Sequence, residues 1–401
     1  MRVLVLDGNE NQAVACVRSL ARAGHDVVVG SPTSWSKAGW SRHARGSFRY
    51  PAPDADGAGF TDAVVREAAR GAGTLVLPMT ERTTLPLSAR RGALIEAGGR
   101  IVLPSHETVL RAYDKSQTTA LAESLGVVVP KTERLVTEGE AKDFAARATF
   151  PVVLKPASSE ELGDSGTRTT GAPCYARSAA ELPRAFGDVR GRASAVLAQE
   201  YVEGSGAGYF ALMHHGELRA EFAHRRIRDV RPSGSGSALR ASVRPEPMVR
   251  DASLKVLGAL GWHGVAMVEF RLRPDGTPVF LEVNGRFWNS LALAVYAGVD
   301  FPALLAAMAE HGDVSPPPPY REGVACRWML GDVRHLLAVW AGAPAGYTGR
   351  WPGRLSTLAS FLVPVRGTFH DNFTLDDPLP ELGDWLDFVG RKIPRLLRSR
   401  A

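Results

Sequence analysis

The sequence predicts an α/β protein that opens on a doubly wound parallel sheet. Two observations predict it: short apolar runs that each stop at turn residues, and an apolar stripe at helical spacing between the first two of them. Val3 to Leu6 is apolar and ends at Asp7-Gly8-Asn9. Ala13, Val14, Val17, Leu20 and Ala21 then recur at helical spacing, and Asp26 to Val29 reads as a second strand. Leu75 to Leu77 and Ile101 to Leu103 are further β-like runs, each followed by proline. The first unit therefore covers residues 1–112. Its first turn reads DGNENQ, without the GxGxxG glycines that let a backbone approach a pyrophosphate, so a dinucleotide site is not expected. Thr80 and Glu81 follow the Leu75–Leu77 run, where open α/β sheets place ligand-facing loops.

From Ser105 to about Leu125 the pattern is helical and carries Tyr113-Asp114-Lys115-Ser116, with Ser105 and Thr108 as early cap chemistry. Val127 to Val129 is a short apolar run between Gly126 and Pro130, and Val152 to Leu154 and Val196 to Val202 read as strands. Residues 157–173 are rich in Gly, Ser and Thr and read as a mobile loop. A strand pair is expected around Tyr209–His214 and Leu218–His224, turned at His215-Gly216. The last hundred residues mix helical segments with Pro-rich connectors.

The sharpest local signal is the segment from Val265 to Asn284. Asp275-Gly276 is a favoured two-residue hairpin turn. That turn pairs Pro274 with Thr277 and sets Glu269 directly opposite Glu282. Asn284 lies two residues beyond Glu282 and points to the same face. Val268, Phe270, Leu272, Val279, Leu281 and Val283 then form the buried face. Like charges opposed on a sheet destabilise it, whereas two carboxylates and an amide oxygen on one face suit a hard cation such as Mg²⁺. The alternative at this level is a solvated hairpin whose acids are neutralised by Arg271 and Arg273.

Lys155 ends a buried-type strand before Pro156, and Lys115 is placed at the end of a helix; both are point charges suited to phosphate oxygens. Gln199-Glu200-Tyr201-Val202 leaves a strand for a glycine-rich turn, and an exposed strand end offers the carbonyl and N–H groups that an adenine edge needs. Arg168 and the 157–173 loop offer a cation and backbone N–H groups to phosphates. Arg225, Arg226, Arg228, Arg231 and Arg240 surround a Ser/Gly loop and suit bidentate recognition of phosphate or carboxylate; a solvated basic loop is the alternative.

Composition narrows the class. The chain has 401 residues, 45% hydrophobic and 22% charged, with net charge +6 and pI near 9.4. The arginines are scattered rather than striped with aromatics, so nucleic acid is not an expected partner. Cys16, Cys174 and Cys326 lie far apart, which argues against a zinc site or disulfide framework and fits a reducing, cytoplasmic setting. The apolar stretch from Ser290 to Met308 is broken by Asp300 and Pro302, and the N-terminus does not read as a signal peptide, so no membrane partner is expected.

Taken in order, Tyr113-Asp-Lys-Ser116, Phe150-Pro-Val-Val-Leu-Lys-Pro156, Gln199-Glu-Tyr-Val-Glu-Gly204, Val268-Glu-Phe270 and Phe280-Leu-Glu-Val-Asn-Gly-Arg286 closely resemble the ATP-grasp superfamily. The resemblance is to its carboxylate–amine ligase branch, related to carbamoyl-phosphate-synthase-like proteins, and covers roughly residues 1–305. It implies a pre-ATP-grasp domain followed by two α+β lobes: a small one over 113–198, a large one over 199–305, and a C-terminal helical or irregular extension over 306–401 packed on the core. It also implies that Lys115 and Lys155 hold the α- and β-phosphates of ATP. The main chain of Glu200 and Val202 would bind adenine, with Gln199 near its amino group. Glu269, Glu282 and Asn284 would hold one or two Mg²⁺ ions, for which Mn²⁺ can substitute. Arg286 would lie beside the transferred phosphoryl group, with Arg226 and Arg240 as further phosphate or substrate contacts.

Two departures stand out. An acidic ribose-binding residue common in relatives is replaced by Gly206, with Glu203 as a substitute, and Asn-Pro-Arg is replaced by Asn284-Gly285-Arg286. The activity implied is amide or peptide formation from a small carboxylate and an amine through an acyl phosphate, in small-molecule or natural-product biosynthesis. Carboxylation, carbamoyl- or acyl-phosphate chemistry with another acceptor, and a non-catalytic ATP-binding module are the alternatives. The oligomeric state stays open, and a homodimer is compatible with the sequence.

Overall fold

The computed structural model describes all residues except 164–165, 233–235, 344–349, 364–366 and 399–401. The first sheet runs Gly46–Arg49, Asp26–Ser31, Arg2–Val5, Leu75–Leu77, and every pairing is parallel. Helix Asn11–Arg22 buries Ala13, Val14, Val17 and Leu20 against one face, and helix Gly57–Ala68 buries Phe60, Val64 and Ala68 against the other. The sheet is therefore wound on both sides, as the alternation predicts. The expected Ile101–Leu103 strand does not form. Its ladder stops at a single bridge from Arg100 to Leu75, and the three side chains serve as core filling instead.

The helical pattern after Ser105 forms two helices, His106–Tyr113 and Lys115–Ser124. Asp114 breaks them because its carboxylate accepts the Ser116 and Gln117 amides at 2.8 and 3.1 Å. Such an N-cap satisfies donors that the first turn leaves unpaired. Lys115 consequently opens a helix rather than closing one. A four-stranded antiparallel sheet follows, ordered Thr132–Leu135, Val196–Glu200, Val152–Pro156, Cys174–Ala176. The short apolar run Val127–Val129 stays outside the sheets, and the Val128 carbonyl accepts the Phe280 amide.

The glycine-rich stretch, read as a mobile loop, contains a hairpin of Glu160–Gly163 and Gly166–Thr169. It docks on the first unit: the Thr167 amide donates to the Pro53 carbonyl and its hydroxyl to that of Arg82, both at 2.9 Å. Gly166 permits this approach, since a Cβ there would lie 1.9 Å from the Pro53 oxygen and its φ is +137°.

The largest sheet has seven strands in the order Pro278–Asn284, Gly264–Leu272, Ser205–His214, Glu217–Asp229, Ser237–Val243, Ala325–Arg327, Phe369–His370. Its hairpin turns at His215-Gly216, both at positive φ, as expected. One face packs Phe210, Leu212 and Phe222 against the first unit and the Leu291–Ala297 and Phe301–His311 helices. The other packs Tyr209, Val268 and Phe270 against helix Pro247–Ala259 and Trp262. The C-terminal segment adds the last two strands of this sheet and returns to the first unit, where Arg18 binds Asp377 and Lys37 binds Asp384. Among the described residues no single helix is long and apolar enough to cross a membrane, and the Ser290–Met308 stretch bends by 86° between its two helices.

Candidate active site

Glu269 faces Glu282 across the ladder, and Met267 faces Asn284. The expected opposition of the acids is present, but two irregularities produce it. The turn spans three residues, with the Arg273 amide donating to the Thr277 carbonyl and Leu272 paired with Pro278. This offsets the register by one residue. A bulge between the Glu269 and Phe270 pairs leaves Leu281 unopposed and restores it. The bulge exchanges two side chains: Phe280 is fully buried in the core, and Leu281, expected on the buried face, lines a cavity instead.

That cavity measures about 440 Å³ and draws on both sheets: Lys155, Gln199, Glu200 and Val202 from one side, Arg226, Glu269, Arg286 and Trp288 from the other. Beside it, Lys115 Nζ lies 3.1 Å from Glu282 Oε2 and donates to Ser159 Oγ at 2.8 Å. Asn284 Nδ2 reaches one oxygen of each glutamate at 3.4 Å. Arg286 donates to Asn284 Oδ1 at 3.0 Å and lies 3.7 Å from Glu81. One line of charge thus runs from Lys115 through the paired acids and Asn284 to Arg286 and Glu81.

Burial and neighbours set the protonation. Burial, reinforced by the facing Glu282, raises the Glu269 carboxyl above its usual range. Burial also acts to raise Glu282, but Lys115 and Lys155 outweigh it and hold that carboxyl at about 2. Desolvation pulls Lys155 down to about 8 against the attraction of Glu282. Lys115 is buried too, yet Glu282 and Glu81 more than compensate and raise it. Glu282 has Lys115 as its counter-charge, whereas the facing Glu269 has no ion-pair partner among the described residues, a setting that a divalent cation suits. The glutamate oxygens are the hard donors Mg²⁺ prefers, and Asn284 adds its oxygen when its amide turns over, since Oδ1 here accepts from Arg286 and Nδ2 faces the acids.

The hinge residues are partly committed. Gln199 donates its side-chain amide to Thr132 Oγ1 at 2.8 Å. The Glu200 amide goes to the Lys131 carbonyl, which leaves the Glu200 carbonyl as the main-chain group it can offer. Val202 is buried at the cavity wall. Glu203 is exposed and does not line the cavity.

Two arginines also depart from expectation. Arg240 is fully buried, ion-paired with Asp371, and does not line the cavity; its pairing with a distant acid withdraws it from any phosphate. Arg168 is exposed and paired with Glu161 at 2.6 Å. Arg226 does reach the cavity. The Ser/Gly loop between them includes residues 233–235, outside the described residues.

The sequence reading missed Ser159, His224, Trp288 and Ser290. His224 shares a 2.8 Å hydrogen bond with Ser290, and with Trp288 both line the cavity. Only the nearness of Trp288 to Arg286 in sequence could have flagged it. The Gly285 departure has a steric cause: a Cβ there would fall 2.3 Å from buried Trp262. A separate trio, His214, His215 and His263, lies outside the cavity. The last two rings stack within 7° of parallel at 4.1 Å, so their in-plane lone pairs run side by side instead of converging.

Residues 193–331 match a family described as "ATP-grasp in the biosynthetic pathway with Ter operon". Over 214 residues the chain is 30% identical to the N-terminal section of the carbamoyl phosphate synthase large chain of Methanopyrus kandleri, covering 51% of this chain and 36% of that one. The chain thus spans about a third of that relative's length. Among solved structures, biotin carboxylase of Campylobacter jejuni superposes with a TM-score of 0.64 at 15% identity, over 81% of this chain and 74% of that one. An L-amino acid ligase of Bacillus licheniformis gives 0.58 at 17%, over 77% and 74%. At these identities the structural likeness is one of fold.

Proposed function

We propose that this chain is a Mg²⁺- and ATP-dependent ligase of the ATP-grasp type, which activates a small carboxylate as an acyl phosphate and joins it to an amine; the match of residues 193–331 to an ATP-grasp family supports this. The observation that supports this most is that Lys155, Glu269 and Arg286 line one cavity, with Lys115, Glu282 and Asn284 bonded to one another beside it. Acids, amide and cations in that proportion suit a triphosphate with its metal and little else.

In this reading Lys115 and Lys155 hold the phosphates, while the Glu200 carbonyl and Val202 amide take the adenine edge between Val153 and Leu281. Glu269, Glu282 and Asn284 hold Mg²⁺, which when bound neutralises charge on the phosphate oxygens. A carboxylate is a poor electrophile. Arg286 and Arg226 orient it and stabilise the negative charge that develops as its oxygen takes the terminal phosphoryl group; such preorganised cations act in a site that excludes water. ADP departs in that transfer; the amine then attacks the acyl carbon, the C–O bond to phosphate breaks, and the amine's proton leaves with the phosphate. His224, which burial and the charges of Arg226 and Arg240 keep neutral, adds no competing cation at that wall. The hairpin of Glu160–Gly163 and Gly166–Thr169 brings Ser159 to Lys115 and shields the site, protecting the acyl phosphate from hydrolysis.

The test is a screen of amino-acid pairs for release of ADP and phosphate, followed by product masses. A bicarbonate arm and hydroxylamine as an acyl trap run alongside. A new amide mass with stoichiometric ADP supports the reading. ADP formed only with bicarbonate moves the acceptor to carboxylation, and no ADP with any carboxylate removes the ligase assignment.

A further inference from the structure

The C-terminal helix Leu379–Arg398 is turned inside out. Its inward side is small and polar: Gly383 and Asp384 are buried, and Asp384 binds Lys37 at 2.9 Å, Trp328 Nε1 at 2.6 Å and Asn372 at 3.1 Å. Its outward side is apolar, with Leu379, Leu382, Leu386 and Val389 left 45–50% exposed. Their spacing of three, four and three residues makes one stripe along the helix. A surface helix normally shows the reverse arrangement. In sequence Ile393 and Leu396 continue the same spacing. Around them in sequence come Arg391, Lys392, Arg395, Arg398 and Arg400, and no acid occurs among residues 388–401.

An outward apolar stripe over Leu379 to Val389, followed in sequence by basic residues without acids, matches an anionic lipid surface. Apolar side chains enter the acyl boundary, while lysine and arginine reach the headgroup phosphates. We propose that this helix attaches the protein peripherally to anionic membranes, lying in the interface with the body of the protein behind it. The expectation of no membrane partner excluded a spanning helix, and a helix lying on the surface escapes that criterion. Two other features fit. The Asp384 contacts fix the helix on the body so that the stripe stays presented. The bond network of Arg18 and Asp377 secures the segment just before it.

The experiment is flotation of the full chain with vesicles of phosphatidylcholine alone or with a third phosphatidylglycerol. The chain is expected to float with the anionic vesicles and to be released by high salt. Leu382→Gln with Leu386→Gln should weaken binding roughly tenfold or more at an unchanged unfolding midpoint, since both side chains are exposed. Lys392→Gln with Arg395→Gln should weaken binding to anionic vesicles by about thirtyfold, the loss expected for two basic residues at an anionic surface. Equal flotation with neutral vesicles, or no effect of the stripe substitutions, overturns the proposal. So does a dimer that the stripe substitutions dissociate in a chain that binds no vesicles, because the stripe then covers a second copy.

Discussion

The two edges of the seven-stranded sheet both bury charge, and they follow opposite rules. At the C-terminal edge the charges are matched within the chain: Arg240 with Asp371, Arg18 with Asp377 at 2.8 Å, and Arg228 and Arg327 together on Asp332 at 2.5 Å. At the other edge Glu269 and Glu282 are set against each other with Lys115 paired to Glu282, and Lys155, on the four-stranded sheet across the cavity, has no ion-pair partner among the described residues while burial holds it at about 8. Removing one member of a matched buried pair strands the other, so the first edge binds the fold together. The second edge leaves charge unmatched within the chain, and the proposed function assigns that charge to a cation with a polyanion. Unmet charge is the better marker of a site than charge alone.

The comparison breaks most visibly at Glu282. Glu282→Ala is expected to lower ATP turnover by roughly 10²–10³-fold with the unfolding midpoint preserved, read by coupled ADP assay and thermal melt. A melt that collapses would place Glu282 among the structural pairs. Arg240→Met is the mirror case. It should reduce unfolding free energy by about 3–5 kcal/mol, seen in urea titration, and leave the KM for ATP of the folded fraction unchanged. A raised KM without lost stability would return Arg240 to the site.

Lysine 155 sharpens the contrast through pH. Its folded pKa, about 8, lies below the ordinary lysine value near 10.4. Below pH 8 the buried ammonium is charged, which weakens the nucleotide-free fold and suits phosphate. As pH rises through about 8 the charge is lost and the penalty on the free fold is relieved. Calorimetry should therefore show ATP affinity falling above pH 8, by up to about tenfold per unit. Lys155→Arg, charged throughout, should flatten that slope. The smallest effect is expected at Glu203, exposed and away from the cavity wall. Glu203→Gln should leave ATP affinity nearly unchanged in the same titration, and a large loss would restore it as the ribose contact.

Legibility followed the range of the interactions. The first sheet and the facing glutamates were readable because strand alternation and turn residues are local. Even there the turn is one residue longer than expected, and the bulge at Leu281 cancels the error. Neighbouring side chains in the hairpin were consequently assigned to the wrong faces while the acids were placed opposite each other. Asp114 split a helix that periodicity joined, because a cap acts over two or three residues and a stripe over ten. The role of Arg240 was unreadable, since its partner Asp371 lies 131 positions away. The inverted C-terminal helix was equally hidden: its apolar stripe is plain in sequence, but the face it turns to the body depends on Lys37, Trp328 and Asn372.

The most direct test is calorimetric titration of a non-hydrolysable ATP analogue with and without Mg²⁺, in the native chain and in Glu269→Gln with Glu282→Gln. Tight binding that requires Mg²⁺ in the native chain, and loses that requirement along with its strength in the double variant, is the predicted result. Equal affinity without Mg²⁺, or a double variant that binds the metal–nucleotide pair as well as the native chain, would contradict it.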